Sequence, residues 1–237
     1  MSTQHILMIV TGHTLLGHTG KTTGVWLEEL STPYYAFIDA GLQVDIATPS
    51  GMPVPIDPGS LKIRGKNPMS VERWLDDPQA QQWSQRPLSL EALNADPYQA
   101  LFLPGGHGTM WDLPDNKALS SLLSQAWERG TVIASVCHGA VGLVRARDTT
   151  GRALVAGRRI TAFTNHEEDA AGLSTIVPFL LETRLRELGA QFESAHNFQP
   201  HAVTDGRLIT GQNPASSMLV AERVLSALTV TDKKHAI

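Results

Sequence analysis

The passage from Thr131 to Gly142 constrains this chain more than any other. Thr131-Val132-Ile133-Ala134-Ser135-Val136 is an apolar, β-favouring run, Cys137-His138-Gly139 follows it, and Ala140-Val141-Gly142 continues with small residues. A short apolar run giving way to a nucleophile and then to a helix-like segment reads as strand, sharp turn and helix. Such an elbow pushes a side chain out at the end of a sheet and points it at the N-terminus of a helix. The positive end of that helix favours thiolate over thiol. Cys137 is the only cysteine in the chain, and its position makes it the expected catalytic nucleophile.

The rest of the chain alternates strand and helix patterns. Strands are expected at His5–Thr11, Gln43–Thr48, Ala100–Leu103, Thr131–Val136, Arg159–Phe163 and Gln191–Ser194, with a hairpin at Ala202–Thr210 around Asp205-Gly206. A short helix at Gly24–Leu30 is followed by Thr32-Pro33, which reads as an N-cap and first-turn proline restarting a helix to Ala40. Further helices are expected over Ala118–Arg129, closed by Gly130, over about Val177–Leu188, and over Pro214 to about Leu228, with Asn213 as N-cap. This rhythm predicts an α/β fold with a mostly parallel sheet covered on both faces.

The 237 residues fit one α/β domain with an insertion, or two small domains. Hydrophobic residues at 42% and charged residues at 18% allow a sizeable core. The stretch from about 50 to 97 breaks the rhythm. It holds seven of the fourteen prolines together with Trp74 and Trp83, and reads as a cap insertion beside the site. A net charge of −4 without a long basic run argues against a nucleic-acid partner. No apolar stretch approaches the roughly 18 residues of a membrane span. The N-terminus reads as a first strand rather than a signal peptide. One cysteine forbids an internal disulfide and a thiolate-rich zinc site, so a reducing cytoplasm is the expected setting.

Ligands of open α/β sheets bind beyond the carboxyl ends of the strands, and three such ends carry chemistry here. The first is Leu103-Pro104-Gly105-Gly106-His107-Gly108, where glycines bring backbone close to a substrate and their N–H groups can form an oxyanion hole. At the second, a sharp elbow would let the His138 imidazole fold back on Cys137, take the thiol proton and later return one. The third is Asn165-His166-Glu167-Glu168-Asp169, where one acid could orient that imidazole and stabilise its cation. Glu28 and Glu29 add a fourth candidate on an otherwise apolar helix. Adjacent helical residues point about 100° apart, so one of the pair would face inward, stay protonated and hydrogen-bond the thiolate. The residues alone do not choose between them.

Together these segments resemble the PfpI-type branch of the class I glutamine-amidotransferase-like superfamily, and within it the large glyoxalase III-like subgroup. The resemblance rests on Gly20-Lys21-Thr22-Thr23-Gly24 with Glu29-Leu30-Ser31-Thr32-Pro33, on Leu103–Gly108, on Ala134–Gly139, on Thr161–Thr164 before Glu168, and on Thr204–Gly211 with Asn213–Ser216. It implies a single domain over 1–237 with a flavodoxin-like three-layer sandwich. It also implies Cys137 as elbow nucleophile, His138 as catalytic histidine and Glu168 as the acid completing the triad, although the local sequence leaves Glu167 in competition. Glu29, four residues before Pro33, matches the acid that touches the sulfur. Gly106 and His138 match the oxyanion N–H donors, within a substrate-binding loop of Gly105, Gly106 and His107. His166-Glu167-Glu168 spells the His-x-Glu of glutamine amidotransferases, but it falls only about thirty residues after the cysteine and is read as a chance match.

The implied activity is a glutathione-independent conversion of methylglyoxal or related 2-oxoaldehydes to 2-hydroxy acids. No cofactor is expected, and His13, His18, His107 and His196 do not make a zinc signature. The implied partners are a small-molecule 2-oxoaldehyde and a second copy of the chain in a homodimer. The alternatives are a cysteine hydrolase on C–N bonds (peptidase, amidase or protein deglycase) and, in a different class, a stress chaperone or oxidant sensor.

Overall fold

Strands made almost wholly of apolar residues have to be covered on both faces, and that decides the architecture. The computed structural model describes residues 4–235. Its strands β1 (His5–Ile9), β2 (Gln43–Thr48), β3 (Leu88–Ser89), β4 (Ala100–Leu103) and β5 (Val132–Val136) run parallel in one sheet. Two short strands, β6 (Arg159–Ile160) and β7 (Gln191–Phe192), form a separate parallel pair. The hairpin of β8 (Ala202–Asp205) and β9 (Leu208–Gly211) then adds β9 parallel to β5 and leaves β8 antiparallel at the edge. The main sheet has the order β3-β2-β1-β4-β5-β9-β8. The winding direction reverses between β1 and β4, where an open parallel sheet leaves a crevice for a ligand.

Alternation along each strand divides the core into two layers. Ile6, Met8, Phe102, Ala134 and Ile209 face one side, which is covered by α1 (Leu27–Asp39) and, further along the chain, by the long C-terminal helix. Leu7, Ile9, Leu101, Leu103, Ile133 and Leu208 face the other side. Between β2 and β4, helices α2 (Met69–Asp76) and α3 (Pro78–Gln85) pack beside α1, with Trp74 edge-on to Tyr34. The short α4 (Thr109–Asp112) follows β4, and α5 (Lys117–Arg129) covers the second face through Leu119, Leu122, Leu123 and Ala126. Helices α6 (Asn165–Ala171) and α7 (Leu181–Glu187) precede β7, and α8 (Ser217–His235) closes the fold against α1. This is the flavodoxin-like three-layer sandwich. No helix among the described residues is long and apolar enough to cross a membrane.

Several expected boundaries differ from those observed. Pro33 does not restart a helix, because α1 runs unbroken through it. A proline inside a helix removes one hydrogen bond. Here Leu30, Tyr34 and Phe37 are buried on both sides of it, and their burial on the sheet outweighs that loss. The strand expected over Arg159–Phe163 stops at Ile160, because the Thr161 N–H donates to the Thr210 hydroxyl instead of to a strand. Helix α7 starts at Leu181 rather than near Val177, and a 3-10 turn over Pro214–Ser216 precedes α8. Residues 50–97 are tied into the domain: β3 joins the main sheet, while Val54, Val71, Trp74 and Ala80 join the core beside α1.

Candidate active site

The chemistry-bearing side chains converge at the carboxyl ends of β4 and β5. Strand β5 enters the 3-10 segment Cys137–Val144 through Cys137, whose φ of 58° places a non-glycine residue in the left-handed region. Such a conformation costs on the order of 1 kcal/mol or more and persists only where the surroundings enforce it. The turn closes tightly on the neighbouring strand: a Cβ on Gly139 would lie 2.0 Å from the Leu103 carbonyl oxygen, so only glycine fits.

Cys137 Sγ lies 3.4 Å from His138 Nδ1. His138 Nε2 is 2.7 Å from Glu168 Oε2, and His107 Nε2 is 2.8 Å from Glu168 Oε1. Burial alone would raise the Glu168 carboxyl, but hydrogen bonds from His107 and His138 override it and hold it at about 2. An ionised carboxylate only accepts, so each imidazole carries its proton on Nε2. His138 is kept below the usual histidine value, by burial first and by His107 next, against the pull of Glu168. A neutral ring with its Nδ1 lone pair facing a thiol is set up as a general base.

On the other side of the sulfur lies Glu29, fully buried, with Oε2 accepting from the Gly105 N–H at 2.7 Å. Burial pushes this carboxyl up to about 8, opposed by its contacts with Cys137 and Gly105. Near neutral pH it keeps its proton. Because Oε2 is the acceptor for Gly105, the proton belongs on Oε1, which has no regular hydrogen-bond partner of its own. The Cys137 thiol is pushed up by burial and then by any charge on Glu29. The expectation that the helix end alone would favour thiolate is therefore corrected, since burial outweighs it. Relief comes from a protonated Glu29, which does not repel the sulfur and can donate to it. Glu28 is half-buried and coupled to Lys62, outside this cluster, so the fold selects Glu29.

Glu168 and Glu167 separate just as clearly. Glu167 is buried in a different network: Oε1 accepts from Phe198 N–H, Gln212 Nε2 and Asn213 Nδ2, while Oε2 accepts from the Thr164 N–H. The sequence reading missed this network. Its local signal was Thr164-Asn165-His166-Glu167, a capping box that fixes the start of α6. With Glu167 engaged in the cap, Glu168 is left to face His138.

In the loop after β4 the N–H groups of Gly105 and Gly106 are placed differently. The Gly105 N–H is engaged by Glu29, so Gly105 cannot donate to a substrate. Among the described residues the Gly106 N–H has no acceptor, and the His138 N–H faces the sulfur. Gly106, with φ of 107°, approaches Gly24 so closely that a Cβ would lie 2.3 Å from the Gly24 carbonyl oxygen. His107 lines the site, but its Nε2 is turned onto Glu168.

Trp26, Glu29, Gly106, His107, Cys137, His138, Phe163, Ala171, Phe198 and Pro214 enclose a chamber of about 210 Å³. Trp26, His107 and Ala171 also border an outer vestibule of about 630 Å³, whose wall includes Lys21, Asp57 and Gly59. Cys137 and Phe198 are the non-glycine residues with positive φ among the described residues, and both line the chamber. The donor atoms of His107, His138 and Glu168 lie within 4.8 Å of one another, close enough for a divalent ion to bridge them, a grouping that histidine spacing in the sequence did not reveal.

The sequence signature of the DJ-1/PfpI family matches residues 21–227. Glutathione-independent glyoxalase HSP31 of Saccharomyces cerevisiae is 30% identical over 240 residues, covering 96% of this chain and 99% of that protein. The crystal structure of glyoxalase III from Candida albicans superposes with a TM-score of 0.87 at 27% identity, over 94% of this chain and 97% of that one. Rapid Encystment Protein 24 KDa of Francisella tularensis superposes with a TM-score of 0.91 at 34% identity, over 95% of this chain and 99% of that one.

Proposed function

Since the chain belongs to the DJ-1/PfpI family, we propose that it is a glutathione-independent glyoxalase III-like enzyme converting methylglyoxal or related 2-oxoaldehydes to 2-hydroxy acids. One observation carries this reading: Cys137 Sγ stands 3.4 Å from a carboxylate-oriented imidazole in a small, mostly apolar chamber of about 210 Å³. That chamber is smaller than the roughly 300–1,000 Å³ of drug-sized ligand sites. It suits a small dicarbonyl better than the open groove a peptide needs, so the glyoxalase reading stands ahead of a peptidase.

Cys137 transfers its proton to His138 Nδ1 as the sulfur bonds to the aldehyde carbon C1. The imidazolium returns that proton to the new alkoxide, giving a hemithioacetal. His138 then removes the C1 hydrogen as a proton, the electron pair moves to form an enediolate charged on the C2 oxygen, and the C1 hydroxyl proton passes to that oxygen. Main-chain N–H groups of Gly106 and His138 stabilise charge on the substrate oxygen. Return of the proton to C2 re-forms the C1 carbonyl as a thioester. Water attacks the thioester, delivering hydroxyl to C1 and a proton to sulfur, and the 2-hydroxy acid leaves. C1 is oxidised and C2 reduced within one molecule, so no external oxidant enters. Glu168 orients His138 and stabilises its cation, and protonated Glu29 donates to the sulfur.

Residues from about 50 to 97 belong to this reading as a cap, supported by Asp57, Pro58 and Gly59 at the vestibule wall. A cytoplasmic homodimer belongs to it too, supported by the family resemblance and by a single thiol that a reducing compartment would protect. Light scattering on the full chain checks the dimer. The test of the activity is lactate formation from methylglyoxal without glutathione. Wild-type turnover far above that of Cys137→Ala is the expected outcome, and equal turnover refutes the proposal.

A further inference from the structure

We propose that His107 is a positioning residue of this site, fixing Glu168 for His138 by holding the other oxygen of the same carboxylate. The inference builds on the reading of His138 as the base. Glu168 offers two oxygens and each meets one imidazole: Oε1 meets His107 Nε2 at 2.8 Å and Oε2 meets His138 Nε2 at 2.7 Å. With one contact a carboxylate can swing about that hydrogen bond. With two, its plane is set, and so is the lone pair that meets His138. The two rings are 4.2 Å apart between centroids, and Phe163 packs against both of them.

His107 is itself held in place. The Thr109 hydroxyl reaches the Gly106 carbonyl at 2.8 Å and the His138 carbonyl at 3.2 Å, tying the loop after β4 to the elbow after β5. Two residues earlier, the Gly105 N–H holds Glu29. Gly105-Gly106-His107 therefore addresses both carboxylates of the site, Glu29 beside the sulfur and Glu168 beside the imidazole. A side chain that merely lined the chamber would not place its ring N–H on Glu168.

The test compares His107→Gln, which puts an amide N–H near the place of Nε2, with His107→Met, which fills similar space without a donor. With methylglyoxal, His107→Met is expected to lower kcat by about 10- to 100-fold, the scale seen when an orienting partner is lost from an active group. KM should change little, and His107→Gln should recover most of the loss. Alkylation of Cys137 by iodoacetamide at one fixed pH should follow the same order, slow in the Met variant and near wild type in the Gln variant. Equal behaviour of the two variants, or a loss confined to KM, overturns the proposal. If the Met variant does not fold, His107→Asn, whose amide falls short of Glu168, replaces it in the comparison. Alkylation needs no substrate. If the wild-type protein leaves methylglyoxal untouched, the glyoxalase reading fails while alkylation still decides the role of His107.

Discussion

In the proposed chemistry two ionisable groups beside the sulfur, His138 and Glu29, govern Cys137. His138 has to be empty to take the thiol proton, while Glu29 has to be full to leave the resulting thiolate unopposed. His138 is held below its usual value and Glu29 is pushed up to about 8, so neutral pH satisfies both conditions. Above about pH 8 Glu29 ionises next to the sulfur and opposes thiolate formation. Cys137 alkylation, which climbs with pH below that region, should therefore level off as pH rises through it. Glu29→Gln keeps an oxygen for Gly105 and an N–H toward the sulfur but cannot ionise. Its alkylation rate should keep climbing past pH 8, and a plateau matching that of the wild type would refute the assignment. The base itself is tested by His138→Ala, which should cost roughly 10²–10⁴-fold in kcat, the usual worth of a positioned general base.

At the scale of elements, α6 separates two neighbouring acids into unlike tasks. Glu167 closes the capping box with Thr164 and gathers N–H groups from Phe198, Gln212 and Asn213, whereas Glu168 turns to the two imidazoles. Glu167→Gln would set its amide NH₂ against an N–H donor whichever way it turned, the Thr164 N–H on one side or those of Phe198, Gln212 and Asn213 on the other. With the amide oxygen kept on the three donors and the Thr164 N–H left unpaired, a loss of about 1–3 kcal/mol is expected, or roughly 2–12 °C in Tm. Glu168→Gln should act the other way round, losing roughly 10²–10⁴-fold in kcat with a smaller change in Tm, because its amide can accept from only one of the two rings. Thermal melts and turnover on both variants check the division, and indistinguishable profiles would refute it. This contrast also shows what the sequence could convey. The parallel strands, the elbow at Cys137 and the β8–β9 hairpin were legible because each is written in a local period or turn. Thr164-x-x-Glu167 was legible too, as a capping box, and reading it would have freed Glu168 for His138. The remaining Glu167 partners lie 31 to 46 positions away and leave no local trace. The unbroken run of α1 through Pro33 was hidden for a similar reason, since it is decided by burial against the sheet.

For the molecule as a whole, the same groups set how stability depends on pH, and in opposite directions. Glu168 is held at about 2 in the fold, against an ordinary value of 4.5. Its contribution is present above pH 4.5 and is lost as pH falls toward 2, worth at most about 3 kcal/mol at 1.36 kcal/mol per pH unit. His138, lowered from 6.5, likewise withdraws stability as pH falls below 6.5. Glu29 is the reverse case. Its folded value of about 8 exceeds 4.5, so the folded state keeps a proton that the unfolded chain has released. Its contribution is complete below pH 4.5 and is lost as pH rises through 8, amounting to at most about 5 kcal/mol. The raw wild-type profile mixes these slopes, but Glu168 and His138 persist in Glu29→Gln and cancel in the difference. Urea unfolding of the two proteins in reducing buffer, from pH 5 to 8, should therefore show wild type losing stability relative to Glu29→Gln by several kcal/mol. A flat difference would mean that Glu29 is already ionised in the folded protein, and the sulfur would then sit beside a charge instead of a donor.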